Sequence, residues 1–199
     1  SLHDALPIYR VMSEDINRLD RLINQLLQIG RLDAIVTEAE QEDIELESLL
    51  RQCALLACKS QGKPVGTVTF EGPPTMVRGA RLALEMIFGN LIDNAIKYGG
   101  SIPEVLVQTS VTPDERVITR VIDNGAGVPA EIQKKIFGLF FRGGSELERK
   151  RKGTGLGLYI VYTLVKQMRG RVSVHGRGRH QTGAVFEVEL PGKALPCAS

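Results

Sequence analysis

The chain has 199 residues, of which 43% are hydrophobic and 24% charged, enough for one sizeable folded domain with a helical appendage and typical of a soluble globular protein. A formal net charge of +2 is too balanced to argue for nucleic acid, and no run approaches the ~18 apolar residues of a membrane-spanning helix. Cys53, Cys58 and Cys197 make neither a metal-ligand spacing nor an even disulfide framework, which points to free thiols in a reducing compartment, and no secretory signal peptide is visible.

Residues 1–9, S-L-H-D-A-L-P-I-Y, fit no pattern that follows and are set aside as an edge or artefact. From Val11 to about Ala34 the spacing predicts a helix: Met12, Ile16, Leu19, Ile23 and Leu26 recur at intervals of 4, 3, 4 and 3, with Leu22 and Leu27 widening the stripe. Such a seam wants partner helices in a bundle, although a helix docked on its own domain has a similar stripe. Residues 36–45 read as an acidic linker with a short strand near Ile44. Leu46 to Lys59 is helical, ended by Gln61-Gly62, and Val65 to Phe70 alternates as a strand. A Gly72-Pro73-Pro74 turn and a short strand around Met76-Val77 lead into a long apolar helix from Leu82 that stops at Gly99-Gly100. Val105 to Val111 and Arg116 to Ile122 form a hairpin across Thr112-Pro113-Asp114-Glu115. A short helix is expected over 130–137, a polar basic loop over 142–152, and a helix over 156–168. Strands at 171–175 and 184–190 close the chain, with Pro191 ending the sheet and a frayed tail after it. Helices mixed with mostly antiparallel strands make an α+β chain, a two-layer α/β sandwich with helices on one face of the sheet, preceded by one long helix.

Four stretches carry chemistry. In Gly89–Tyr98, G-N-L-I-D-N-A-I-K-Y, a helix places Asn90, Asn94 and Lys97 in one row, opposite a core face of Leu84, Phe88, Leu91, Ile92 and Ala95. Amide oxygens suit a hard cation such as magnesium and an ammonium suits phosphate, whereas the plainer alternative is a solvated polar face. In Val121–Pro129, a strand ends in Asp123, whose carboxylate can accept from an exocyclic amine, and Gly125 and Gly127 let a flat ring approach the backbone; Asn124-Gly125 is also an ordinary turn signal. Gly153-Thr-Gly-Leu-Gly-Leu158 opens a helix whose first amides can cradle phosphates, with neither Rossmann nor Walker spacing. Ile136-Phe-Gly-Leu-Phe-Phe-Arg142, followed by Arg149-Lys-Arg-Lys152, offers aromatic anchors and cations for a lid, or equally core aromatics and a solvated charge run.

Taken in chain order, the stretches at 89–98, 121–129, 136–142 and 153–158 resemble the N box, first glycine box, F box and second glycine box of the sensor histidine kinase catalytic domain, which shares the Bergerat (GHKL) ATP-binding fold with gyrase, mismatch-repair and chaperone ATPases. The resemblance covers about residues 42 to 191, and the N-terminal helix resembles the second helix of the kinase dimerisation hairpin. It implies a domain order of residues 10–35 as hairpin helix, 36–45 as linker, 46–192 as ATP-binding catalytic domain and 193–199 as tail. It implies ATP and Mg2+ as ligands, with Asn94 on the metal and Asn90 beside it, Lys97 on phosphate and Tyr98 flanking the base. Asp123 is expected to take the adenine amine, with Gly125, Gly127 and Val128 shaping that pocket. Gly153, Thr154, Gly155, Leu156 and Gly157 are expected to line the phosphates, and Arg142 to reach the γ-phosphate. Asn90, Lys97 and Arg142 are the expected catalytic residues.

In the hydrolytic relatives a glutamate occupies the position of Asn90 and acts as base on water. An amide cannot take that proton at neutral pH, and Asp93 lies off the Asn90/Asn94 row. Transfer to a histidine acceptor is therefore the expected chemistry, with relay to a response-regulator aspartate. The acceptor is expected to be absent from this chain, because His3 lies too close to the second helix for a hairpin, and His175 and His180 read as surface residues. Ala184 stands where the family often has threonine. The implied partners are a response-regulator receiver domain and a second copy through the hairpin helix, with no nucleic acid, and a membrane only through segments absent here. The implied location is the cytoplasmic portion of a membrane-anchored sensor. A GHKL-fold ATPase, a serine kinase of the same fold and a non-catalytic nucleotide-binding module are the alternatives.

Overall fold

A computed structural model describes positions 16, 23, 27, 30, 32 and 35 and residues 41–141, 154–178 and 181–195. His3, most of the expected hairpin helix, Arg142, the basic segment 149–152, Gly153, His180 and Cys197 lie outside the described residues. Ile16, Ile23, Leu27, Leu32 and Ile35 occupy helical positions. Leu32 is buried in the domain core, whereas Ile16, Ile23 and Leu27 are 59%, 53% and 57% exposed.

The folded unit starts with strand β1 (Glu42–Glu45) and helix α1 (Leu46–Gln61). Glu45 ends the strand and caps the helix, its carboxylate accepting from the amides of Glu47 (3.1 Å) and Ser48 (2.8 Å). Gly62 closes α1 in the left-handed conformation at φ 62°. A 3-10 turn (Val65–Thr67) precedes β2 (Val68–Glu71), and β3 (Thr75–Gly79) leads to helix α2 (Arg81–Tyr98). The hairpin β4 (Val105–Val111) and β5 (Arg116–Asp123) follows. Helix α3 (Gly157–Gln167) and strands β6 (Arg171–Gly176) and β7 (Ala184–Ala194) complete the described elements.

The strands order as β1-β3-β7-β5-β4-β2, with β6 also on β7. Every pairing is antiparallel except β2 with β4. β5 alternates strictly: Val117, Thr119, Val121 and Asp123 are buried, while Arg116, Ile118, Arg120 and Ile122 are only partly covered. On the latter face Arg116 pairs with Glu189 (2.9 Å) and Arg120 with Glu187 (2.7 Å) across the β5–β7 ladder. The buried face carries α2, which also packs on α1 and α3. Leu84, Phe88, Leu91, Ile92 and Ala95, the expected core face of α2, are all buried, joined by Ala83, Ile87 and Ile96. A helix flanked on several sides needs this wider stripe.

The short strand expected near Ile44 is there: Glu42–Glu45 pairs antiparallel with β3 and belongs to the sheet. Three expectations are corrected. The strand expected over Val65–Phe70 begins only at Val68, after the 3-10 turn that follows Pro64. Residues 130–137 form successive turns rather than a regular helix, with i to i+3 bonds such as Ile132 N–H to Pro129 (3.1 Å) and Lys135 N–H to Ile132 (2.8 Å). Pro191 does not end the sheet. It sits opposite Arg116, and beyond it Gly192, Lys193 and Ala194 pair with Val77, Met76 and Thr75 of β3. A proline tolerates this place because β7 exchanges its partner there, and the following amide of Gly192 donates to Glu115 (3.0 Å).

Candidate nucleotide site

The site grows from the polar edge of α2. Asn90, Asn94 and Lys97 are each half-buried there. Asn90 Nδ2 donates to the carbonyl of Met86 at 2.7 Å, which spends the amide's donor end on its own helix and leaves its oxygen toward the start of α3. That oxygen meets the first residue of α3: a Cβ built on Gly157 would lie 2.5 Å from Asn90 Oδ1. Glycine at 157 is therefore what lets the α3 N-terminus sit against the amide row. Asp93 points elsewhere, its Oδ1 accepting from Gln61 Nε2 of α1 at 2.7 Å. Glu85 likewise lies on the α1 side, beside Cys53. At the end of α2, Lys97 Nζ stands 5.0 Å from the ring centre of the half-exposed Tyr98.

The second wall is the end of β5. Asp123 is only 3% exposed, and its Oδ1 accepts from the amides of Gly125 (2.8 Å) and Ala184 (3.1 Å). Burial pushes this carboxyl above its ordinary range, while the two amides and the Arg177 guanidinium pull the other way. A buried acceptor at a strand end suits an amine donor. A Cβ on Gly125 would overlap the carbonyl oxygen of Tyr98, so the first glycine loop lies directly on the end of α2. Gly127 carries a positive φ of 80° against Gly183, and Val128 packs on the core while its carbonyl accepts from Gln133 Nε2 at 3.1 Å.

The third wall joins the aromatic stretch to the second glycine stretch. Gly155 packs against the backbone of Phe140 and Phe141. Phe140, at φ 58°, takes a turn conformation that side chains rarely adopt. Thr154 Oγ1 accepts from the amide of Leu156 at 3.4 Å. Leu156 has a fully buried side chain (0% exposed), so it anchors α3 in the core and offers only its backbone to the site.

Gly157 against Asn90 and Gly125 against Tyr98 thus join α2, the β5 end and the α3 start in one rim, with Asn94 and Lys97 on the same helix, Asp123, Gly127 and Val128 at the β5 end, and Thr154, Gly155 and Leu156 just before α3. Two residues of that rim were not singled out as functional in the sequence. Asn124 Oδ1 accepts from the amides of Gly100 and Glu104 (both 3.0 Å), and its Nδ2 donates to Ile102 (2.9 Å), clamping the loop after α2. Its signal was the turn-forming Asn-Gly pair itself, read as punctuation rather than as a clamp. Arg177 Nη1 donates to the carbonyl of Asp123 at 3.4 Å, a contact between distant segments that no local pattern announces.

Among the described residues no three His, Cys, Asp or Glu side chains cluster as metal ligands, and no helix is long and apolar enough to cross a membrane. The oxygen donors on the α2 edge are amides. The amide oxygens of Asn90 and Asn94 are of the kind that would suit a hard divalent cation.

The profile of the family described as histidine kinase-, DNA gyrase B-, and HSP90-like ATPase matches residues 79–194, spanning α2 through β7. The chain is 32% identical over 185 residues to the sensor histidine kinase AruS of Pseudomonas aeruginosa, covering 89% of this chain and 18% of AruS. It is 32% identical over 181 residues to the signal transduction histidine-protein kinase BarA of Escherichia coli, covering 87% of this chain and 20% of BarA. Among solved structures, full-length ShkA in complex with AMPPNP superposes with a TM-score of 0.71 at 29% identity, covering 92% of this chain and 38% of that one. The chain thus spans about a fifth of the length of these two curated relatives. With α2, the β5 end and the α3 start falling inside the matched segment, the chain belongs to the histidine kinase-, DNA gyrase B- and HSP90-like ATPase family, as an ATP-binding domain of the sensor histidine kinase type.

Proposed function

We propose that this domain transfers the γ-phosphoryl group of ATP to a histidine on a dimerisation helix, for relay to the aspartate of a response-regulator receiver domain. The observation that carries the proposal is the chemistry of the α2 edge. Asn90 faces the α3 start, while the carboxylates nearest to it on the helix, Glu85 and Asp93, are turned to α1. An amide cannot deprotonate water at neutral pH, so the site positions a phosphoryl group without activating hydrolysis. A histidine acceptor needs no strong base, since a neutral imidazole nitrogen is already nucleophilic near pH 7.

In this reading Asn94 and Asn90 hold Mg2+, which when bound neutralises charge on the polyphosphate. Lys97 and Arg142 place positive charge on the phosphates, and Gly153, Thr154, Gly155, Leu156 and Gly157 line them at the start of the helix. Asp123 accepts the adenine amine, Tyr98 flanks the base, and Gly125, Gly127 and Val128 shape the base pocket. The exposed Ile16, Ile23 and Leu27 support a partner helix, hence a homodimer through the hairpin. We assign the domain to the cytoplasmic side of a membrane-anchored sensor.

The test is incubation of the chain with γ-labelled ATP, Mg2+ and a histidine-bearing dimerisation hairpin of a sensor histidine kinase. The expected product is alkali-stable, acid-labile label on the hairpin histidine, lost in Asn94→Ala. Label released only as inorganic phosphate would make the domain a hydrolytic ATPase. Acid-stable label on serine or threonine would make it a serine kinase, and ATP binding with neither would leave a nucleotide sensor.

A further inference from the structure

The turn between β6 and β7 belongs to none of the four motif stretches, yet it reaches the base side of the site. Arg177 leaves the end of β6 and crosses the start of β7 to reach the end of β5, where its Nη1 donates to the Asp123 carbonyl at 3.4 Å. The crossing depends on Gly183. This residue sits at φ 124°, and a Cβ there would overlap the Asp123 carbonyl oxygen and lie 2.8 Å from Arg177 Cδ. The next residue is Ala184, so β7 offers Asp123 only a backbone amide, at 3.1 Å, and no side-chain donor.

We infer that Arg177 is a specificity-determining residue of the base pocket: reaching over Gly183, it ties the β6–β7 turn to Asp123 and places a cation beside the carboxylate that accepts a purine amine. The inference rests on the reading of Asp123 as the base acceptor. A carboxylate acceptor favours adenine, whose 6-position bears an amine, over guanine, whose 6-position bears a carbonyl oxygen that would be left facing a negative charge. A protonated Asp123 would lose that preference, since its O–H could donate to the guanine oxygen. Burial works toward protonation, and Arg177 works against it.

The surroundings leave this task to Arg177. From β4 the residue opposite Asp123 is Val105, and from β7 the neighbours are Ala184 and Val185. From α2 the carbonyl of Tyr98 meets Gly125, with Lys97 held over the Tyr98 ring, and Glu104 is exposed at the start of β4. Among the described residues Arg177 is the charge that acts on the carboxyl.

The experiment measures ATP and GTP binding by calorimetry from pH 5 to pH 8 for the wild type, Arg177→Gln, Arg177→Lys and Asp123→Asn, each checked for folding by thermal unfolding. Arg177→Gln should weaken ATP binding about fivefold at pH 7. Its ATP-over-GTP preference should also collapse at a higher pH than in the wild type, because removing the cation raises the pH at which Asp123 takes a proton. Arg177→Lys, which keeps the charge, should restore the wild-type midpoint. A uniform loss with an unmoved pH profile, or a lysine variant that titrates like the glutamine one, overturns the inference. Should Arg177→Gln fail to fold, the lysine midpoint against the wild type decides alone. Unchanged ATP binding in Asp123→Asn would instead overturn the base-acceptor reading, so the two failures are distinguishable.

Discussion

The contact between Asn90 and Gly157 makes a sharp prediction. In Gly157→Ala, the new methyl would lie 2.5 Å from Asn90 Oδ1, against an ordinary van der Waals separation of 3.4 Å or more. Asn90 must yield by about 0.9 Å, and it cannot do so while Nδ2 stays bonded to Met86 at 2.7 Å. Loss of that bond costs about 1 kcal/mol. Alanine in place of glycine in a helix returns about 0.4–1 kcal/mol by restricting the unfolded chain. The two terms nearly cancel, so the urea midpoint should move little. The functional effect is larger, because a displacement of ~1 Å in a positioning group can cost on the order of a hundredfold in rate. Mg-ATP affinity should fall about tenfold or more by calorimetry. Asn90→Ala supplies the control: with the amide gone there is nothing to displace, so Gly157→Ala should add little to it, a coupling of about 1 kcal/mol or more. Wild-type Mg-ATP binding and transfer in Gly157→Ala, or strict additivity in the cycle, would refute the reasoning.

Three further outcomes follow from the same geometry. Gly125→Ala would drive a methyl into the backbone carbonyl of Tyr98, which cannot rotate away, and should destabilise the domain by about 2–3 kcal/mol in urea denaturation; a change under ~0.5 kcal/mol would contradict the packing. Burial holds Asp123 above the usual carboxylate range, so the folded state binds the proton first, and its share of apo stability rises as pH falls from the folded value toward the unfolded one. Asp123→Asn keeps an oxygen acceptor for Gly125 and Ala184 and removes the buried charge, so apo thermal stability at pH 7 should hold or rise while ATP binding is lost; a lower Tm with ATP binding intact would reverse both roles. Asp93→Asn, bonded to Gln61 on the α1 side, should leave Mg-ATP affinity within about twofold, and a tenfold loss would place Asp93 in the site after all.

Much of the fold was legible because its signals are local. The period of Leu84, Phe88, Leu91, Ile92 and Ala95 predicted a buried helix face, and every one of these residues is buried. A hairpin strand was expected over 116–122, and β5 spans Arg116–Asp123 with its burial alternating residue by residue. Local signals failed where a neighbour decides. Pro191 read as a stop because proline lacks a ladder donor, but β3 waits beyond it to take Gly192–Ala194. The short strand near Ile44 was expected without bounds, and pairing with β3 fixes it at Glu42–Glu45. Residues 130–137 had helical spacing, but their hydrogen bonds close mostly over three residues.

The sequence alone determined the class of chain and the inventory of its site. Glycine, amide, carboxylate and aromatic residues in this order are chemical identities, and they hold whatever the fold does with them. Tertiary structure decided which atoms are spent and which remain available. Asn90 gives its donor to Met86 and turns its oxygen to Gly157, Asp93 is turned to α1, Leu156 is buried as an anchor, and Arg177 reaches Asp123 over Gly183. Each of these outcomes depends on burial and on partners from distant segments, and burial and pairing are properties of packed elements rather than of residues in a row.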